Sequence, residues 1–242
     1  MLPKSCIVLP TFNEVDNVEI VVRAVRAYGC DVLVVDDGSH DGTAAIADRL
    51  AANDTGVRVL HRPLKTGLGD AYGAGFALVV DDYAVIGQMD ADLSHNPVDV
   101  PRLLAVIGDG ADVAIGSRYV PGGGVGDWSL MRRMLSSGGN RYARFMLGGD
   151  VRDMTGGFRA FTSAALRALD PAGCTAAGYA FQVEMAARAQ HLGLEVREVP
   201  IIFRDRVRGV SKMDGKIARE AIVLITKWGA QRVWRKLRRG NH

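Results

Sequence analysis

The residues best suited to chemistry are two aspartates, Asp90 and Asp92, separated by a single alanine. In an extended segment, residues two apart face the same way. Two carboxylates on one side repel each other and call for a cation. Oxygen donors of this kind suit Mg²⁺ or Mn²⁺, which take one or two carboxylates and leave further positions to substrate phosphates. A bare Asp-x-Asp also arises as a solvated pair in a loop, so its weight depends on where it sits. A second acidic pair, Asp36-Asp37, and the cluster Pro10-Thr11-Phe12-Asn13-Glu14 add polar groups of types that also form turns. Further on, Arg132 and Ser136 stand four apart and share one face of any helix that carries them. A guanidinium and a hydroxyl so placed can grip one phosphate, although surface arginines on a solvated helix have the same spacing.

These groups need elements to position them. Apolar runs at Cys6–Leu9, Val32–Val35, Val57–Leu60, Ala84–Met89 and Val113–Ile115 read as strands. Between them lie helical segments: Glu14–Tyr28 with Val18, Val21, Val22 and Val25 on one face, Thr43–Ala52 with Asp41 as N-cap, Gly69–Val80, and Pro97–Ile107 with Asn96 as N-cap. Strands without polar alternation, joined by helices, predict a mostly parallel sheet covered on both faces. Ligands of such sheets bind beyond the carboxyl ends of the strands. The polar cluster ends the first strand, Asp36-Asp37 the second and Asp90-Asp92 the fourth, so all three are expected on one rim. After Arg118 the pattern loosens into a glycine-rich loop, Pro121–Gly126. Helices at Leu130–Leu147 and Phe181–Leu192, a short strand near Val196–Ile202 and a mainly helical tail from Lys216 follow.

The chain has 242 residues, 48% of them hydrophobic and 24% charged, which fits a globular fold and excludes a disordered one. Its net charge of +3 hides an asymmetry. From Phe203 to His242 there are 12 Lys and Arg against 3 Asp and Glu, so the body is acidic and the tail basic. A basic tail implies an anionic partner. Ala230, Val233, Trp234 and Leu237 lie on one helical face with arginines around them, which favours an anionic membrane surface over nucleic acid. Three scattered cysteines without a Cys-x-x-Cys suggest neither zinc nor disulfides. With no apolar run approaching the ~20 residues of a membrane span, a cytoplasmic protein peripherally attached to a membrane is expected.

Three ordered motifs, Pro10-Thr11-Phe12-Asn13-Glu14, Val35-Asp36-Asp37-Gly38-Ser39-His40-Asp41-Gly42-Thr43 and Met89-Asp90-Ala91-Asp92-Leu93-Ser94-His95, carry a family resemblance. The chain resembles the family 2 glycosyltransferases of GT-A, Rossmann-like fold, and most of all the dolichol-phosphate (polyprenol-phosphate) mannose synthases, from about Ile7 to Lys212. The resemblance implies a catalytic domain over 1–212 and a basic amphipathic extension over 213–242. It implies inverting transfer of mannose from GDP-mannose to a polyprenyl (dolichyl) monophosphate. Pro10, Asn13, Glu14 and Asp37 would bind the donor nucleotide, and Asp90 and Asp92 the Mg²⁺ or Mn²⁺ on its diphosphate. Ser94 stands where some members have a further, longer metal ligand. Arg118 joins Arg132 and Ser136 as acceptor-phosphate ligands, and Arg118 and Arg132 count with the two aspartates as catalytic. Arg206 and Lys212, in Arg206-Val207-Arg208-Gly209-Val210-Ser211-Lys212, match a basic loop that closes over the diphosphate. Gln182 and Glu184 border the sugar pocket, or Glu184 serves only to cap or salt-bridge a helix start. Gly67-Leu68-Gly69-Asp70-Ala71-Tyr72-Gly73 looks like a dinucleotide fingerprint but follows the third strand, and reads better as glycines allowing close helix–sheet packing. A UDP-sugar donor, a non-catalytic nucleotide- or membrane-binding role, and a separate membrane-anchoring partner stay open.

Overall fold

A computed structural model describes residues 3–174, 176, 178–205 and 221–231. The first five strands and four helices alternate as the hydrophobic pattern requires: β1 Ser5–Thr11, α1 Val18–Arg26, β2 Asp31–Asp36, α2 Thr43–Asn53, β3 Val57–His61, α3 Leu68–Val79, β4 Val85–Gln88, α4 Val100–Gly108 and β5 Val113–Ser117. The short strand β6, Gly124–Val125, precedes the long helix α5, Leu130–Leu147. Then come β7 Arg159–Thr162, α6 Ser163–Leu169, α7 Tyr179–His191, β8 Val196–Pro200 and β9 Ile202–Phe203. Residues 221–231 are helical.

Seven strands form one sheet in the order β3-β2-β1-β4-β7-β5-β8, and β6 pairs with β9 in a second. All pairings of the large sheet are parallel except those of β7, which runs antiparallel between β4 and β5. Both faces are buried, which is why the strands lack polar alternation. Ile7, Leu9, Val32 and Val34 pack with the valines of α1 and with Leu103 and Leu104 of α4 on one face. Val8, Leu33 and Val35 pack on the other with Tyr72 and Phe76 of α3, Leu166 of α6 and Phe181 of α7. Gly75 lets α3 lie close to the sheet: a Cβ there would stand 2.6 Å from Val8 Cγ1 and 2.9 Å from Val35 Cγ2. The glycines of this helix therefore serve packing.

Several local expectations are corrected. Helix α1 begins at Val18, not Glu14, because Asn13 takes a left-handed conformation (φ 57°) and residues 15–17 form a turn. The N-cap of α2 is Gly42, at φ 100°, while Asp41 accepts from the Thr43 amide beside it. Asn96 does cap, accepting from the Val98 amide, but the turn it starts, Pro97–Asp99, is 3₁₀ and leads into α4. Strand β7 and helix α6 are additions to the expected order. The strand β4 ends at Gln88, and residues 91–95 form a bend with Leu93 at φ 62°. Asp90 and Asp92 therefore lie past the strand, and strand alternation does not set their relative directions.

Among the described residues no helix is long and apolar enough to cross a membrane. Arg206, Lys212, the 212/213 domain boundary and the helical face of Val233, Trp234 and Leu237 lie outside the described residues. The described part of the tail is docked on the body. Ile225 is buried in the core with Ala143 of α5, and Tyr142 and Thr226 share a hydrogen bond of 2.6 Å. Cys6 and Cys30 are buried, and burial pushes the Cys6 thiol up to about 12, which suits packing residues rather than nucleophiles.

Candidate active site

The carboxyl ends of β1, β2, β3, β4 and β5 share one rim, and the antiparallel β7 contributes its entry loop there. The order 3-2-1-4 places the switch in chain direction between β1 and β4, which is where open sheets leave a crevice. Asp90 and Asp92 open onto it from β4.

Asp90 is held from two sides. Its Oδ1 accepts from the buried Tyr72 hydroxyl at 3.2 Å, and its backbone N–H donates to His95 Nδ1 at 3.2 Å. Burial, followed by the Asp90 charge, pushes the Tyr72 hydroxyl well above its ordinary value, so it stays a proton donor. His95 is buried, stacked on Phe158 at 5.1 Å and edge-on to Phe203 at 5.4 Å. Asp92 is buried, and its Oδ1 accepts from both the Ser94 amide and the Ser94 hydroxyl. The buried Ser94 hydroxyl, by donating to Asp92, holds that carboxylate in place.

Across from this bend stands Gly157. A Cβ on it would lie 3.7 Å from Asp90 Oδ2, 3.6 Å from His95 Cε1 and 3.7 Å from Gln182 Nε2. Gly157 thus faces the same space as the Asp90 carboxylate, His95 and the Gln182 amide. Gln182 Oε1 accepts from Gln88 Nε2 at 2.7 Å, while Gln182 Nε2 is buried and has no hydrogen-bond partner among the described residues. A buried donor left unpaired costs about 1–3 kcal/mol unless something else accepts from it. The loop carrying Gly157 is anchored by Arg159, fully buried, which donates to the carbonyls of Gly156 and Met154. Burial brings the Arg159 guanidinium down to about 10, against the opposing charge of Asp153.

Glu184, inside α7, accepts through Oε1 from Arg188 one turn on and through Oε2 from the Ala176 amide.

The donor-side residues expected from sequence are partly committed to one another. Asn13 Oδ1 accepts from the His40 amide, the Asn13 amide donates to Ser39 Oγ, and the Glu14 amide donates to Thr43 Oγ1. These bonds tie the β1–α1 loop to the β2–α2 loop. Glu14 Oε2 accepts from Asn17. Pro10 lies in β1 opposite Val35. Asp36 is a turn-former, accepting from the Ser39 amide and hydroxyl and from Thr11. Asp37 pairs with Arg62 at 2.6 Å. Burial raises the Asp37 carboxyl above its ordinary value, outweighing the Arg62 charge. Arg62 was not foreseen, because nothing near it in sequence marks it as facing Asp37.

On the acceptor side, Arg118 and Arg132 both lie against the Trp128 ring, 5.8 and 4.0 Å from its centroid, and each also meets a carboxylate. Arg118 is buried against Asp153, with Nε donating to Oδ2 at 2.8 Å and Nη2 to Oδ1 at 2.6 Å and to Thr155. These bonds brace β5 against the β7 entry loop. Burial pushes the Asp153 carboxyl up, but the Arg118 charge and hydrogen bonds overcome it and leave it below its usual range. Arg132 is half-buried, paired with Asp205 and lying 4.0 Å over the Trp128 ring. The Ser136 hydroxyl accepts from Tyr119 at 2.6 Å. The buried Trp128 indole N–H has no hydrogen-bond partner among the described residues.

Among the described residues no group of three or more His, Cys, Asp or Glu forms a metal cluster. The donor set still fits Mg²⁺ or Mn²⁺, which need only one or two carboxylates when substrate phosphates and water complete the shell. Residues 6–170 match the model of "Glycosyl transferase family 2".

The chain belongs to glycosyltransferase family 2.

Two relatives match this family 2 chain over nearly its whole length. It is 46% identical over 231 residues to a polyprenol monophosphomannose synthase of Mycolicibacterium smegmatis, covering 93% of this chain and 87% of that one. It is 46% identical over 234 residues to an undecaprenyl-phosphate mannosyltransferase of Micrococcus luteus, covering 96% of each. Among solved structures, the mannosyltransferase PcManGT from Pyrobaculum calidifontis, in complex with GDP-Man and Mn²⁺, aligns with TM-score 0.61 at 14% identity, covering 97% of this chain and 65% of that one. GalNAc-T7 with UDP, GalNAc and Mn²⁺ aligns at TM-score 0.55 and 16% identity, over 89% of this chain and 46% of that one. At these identities the structures speak for the fold, an α/β glycosyltransferase architecture with a mostly parallel sheet.

Proposed function

We propose that this family 2 glycosyltransferase transfers mannose from GDP-mannose to a polyprenyl monophosphate, with inversion at the anomeric carbon. The observation that carries the reading is a run of ring contacts, Trp128 to Phe203 at 5.5 Å and Phe203 to His95 at 5.4 Å, that joins the arginine–tryptophan pair at Arg132 and Trp128 to the acidic bend at Asp90–Asp92. The bend suits a cation-bridged diphosphate and the pair an acceptor phosphate. The activities for which the two relatives are named support the acceptor class and the sugar.

Mg²⁺ or Mn²⁺ held by Asp90 and Asp92 would supply charge neutralisation to the leaving diphosphate. The chain's own residues do the rest. Tyr72 and His95 keep Asp90 in place. Gln182 Nε2 offers the sugar a hydrogen-bond donor beside Gly157. Asp37, Asn13, Glu14 and Pro10 shape the nucleotide side, with Arg62 holding Asp37. Arg206 and Lys212 add positive charge to the leaving diphosphate. Arg118, Arg132, Ser136 and the Trp128 indole orient the acceptor phosphate, with Asp153 holding Arg118 in place. An acceptor phosphate oxygen forms the new bond to the anomeric carbon as the bond to the nucleotide diphosphate breaks. That oxygen is already largely ionised near neutral pH, with a second pKa of ~6, so no general base is required. The exposed apolar side chains of α5 and the basic tail support a reaction carried out at an anionic membrane surface.

The test is transfer of radiolabel from GDP-[¹⁴C]mannose into an organic-soluble, acid-labile product that depends on polyprenyl phosphate and Mg²⁺ or Mn²⁺. Labelling from UDP-glucose but not GDP-mannose would move the donor assignment. No labelling from either sugar nucleotide would refute the enzyme reading.

A further inference from the structure

Helix α5 contains four arginines and no acidic residue. Two of them, Arg141 and Arg144, join Arg152 in lining a cavity of about 280 Å³ with Tyr119, Ser137 and Asn140. Among the described residues most arginines are paired: Arg23, Arg26, Arg49, Arg58, Arg62, Arg102, Arg118, Arg132, Arg167, Arg188 and Arg197 each meet a carboxylate within salt-bridge distance. Among the described residues, none of the three cavity arginines has such a partner. Three like charges around one space repel, and no carboxylate among the described residues pairs with them. The nearby Glu198 carboxylate accepts instead from the Arg152 and Asp153 amides, while Arg152 lines the cavity.

The floor is built. Asn140 is buried, bonded through Nδ2 to Ser136 O and Thr155 Oγ1, and through Oδ1 to the Thr155 amide. At 1.5 Å rise per residue, Arg144 lies about 18 Å along α5 from Arg132, so this is not the acceptor-phosphate position. Tyr119 links the two, since its hydroxyl bonds Ser136 while the residue lines the cavity. Apolar side chains project from the same helix: Leu130, Met131, Met134 and Leu135 near its start, and Phe145, 82% exposed, next to Arg144. Guanidinium donors beside an exposed aromatic suit a ligand with a phosphate head and an apolar body.

We infer that Arg141, Arg144 and Arg152 form a second phosphate site, separate from the transfer centre, that takes the phosphate of an anionic lipid headgroup. The site works by binding, so its test does not depend on the transfer reaction. Wild-type protein and the variants Arg144→Lys, Arg144→Gln and Arg152→Gln, each checked for unchanged Tm, are titrated with phosphatidylcholine vesicles with and without phosphatidylglycerol. Arg197→Gln, removing a charge from β8, serves as the control. A built site needs the planar fork, so Arg144→Lys should lose about tenfold in affinity for phosphatidylglycerol vesicles, as should both glutamine variants, while Arg197→Gln does not. Diffuse attraction would leave Arg144→Lys at wild-type affinity, because the charge is kept. A parallel arm measures thermal stabilisation by inorganic phosphate. If phosphate stabilises the wild type but not Arg144→Lys, and vesicle binding is the same for both, the site stands and its source is a soluble phosphate. If Arg144→Lys matches the wild type in both arms, the site is refuted.

Discussion

The backbone N–H of Asp90 donates to Nδ1 of His95 at 3.2 Å. A ring nitrogen that accepts carries no proton, so this contact belongs to the neutral ring with its hydrogen on Nε2. The bond spans the bend in which the chain leaves β4, and the ring is clamped between Phe158 and Phe203. His95 is therefore a positioning residue for the Asp90 carboxylate.

His95→Leu keeps the apolar contacts and removes the acceptor. It is expected to raise the divalent-ion concentration needed for half-maximal transfer by about tenfold, the equivalent of one lost hydrogen bond of ~1.4 kcal/mol. His95→Asn, whose Oδ1 can accept in place of Nδ1, should restore most of the loss. Equal defects in both variants would show that ring packing alone matters.

Asp90→Asn keeps the shape of the bend and removes a charge. Turnover should fall by at least ~100-fold with Tm unchanged, and EDTA should abolish wild-type activity until Mg²⁺ or Mn²⁺ is returned. Near-normal turnover in the variant would remove Asp90 from the metal site.

Gly157→Ala places a methyl group at ordinary contact distances from Asp90, His95 and Gln182, so the fold should not suffer. The added group occupies the space these side chains share. Donor KM should rise severalfold while Tm stays within about 2 °C. A normal KM would mean that the sugar nucleotide lies elsewhere.

The Arg118–Asp153 pair is almost wholly buried, so breaking it strands a charge. Asp153→Asn should cost about 3 kcal/mol, or roughly 6–12 °C in Tm. Because the folded Asp153 carboxyl lies below its ordinary value, the stability it adds is complete above that value, at about pH 4, and is lost as pH falls through the depressed range. The variant should therefore approach the wild type in stability as pH falls below about 4. Urea titrations across pH 2–7 check both the size and the sign.

Arg132→Ala should raise the KM for polyprenyl phosphate at least tenfold and leave the GDP-mannose KM within about twofold. Trp128→Phe, which removes the indole N–H and keeps a ring under Arg132, should show a milder version of the same split. An unchanged acceptor dependence in Arg132→Ala would take the acceptor phosphate away from α5.

The sequence by itself determined the repeating strand–helix order, the burial of both sheet faces and the rim on which the acidic groups lie, because these follow from local periodicity and from the chirality of parallel crossovers. The ordered motifs around Asn13, Asp37 and Asp90 likewise made the family legible. Tertiary structure decided what the polar side chains do. Strand β7 runs backwards between β4 and β5, bringing Gly157 and Arg159 to the rim from a segment with no strand-length signal of its own. Asp153 claimed Arg118, Arg62 met Asp37, and Ser94 turned onto Asp92, across separations of 35, 25 and 2 residues. A hydrophobic pattern records which face is buried. It does not record which acid a guanidinium will find, since that depends on contacts made only when distant segments are brought together and water is excluded.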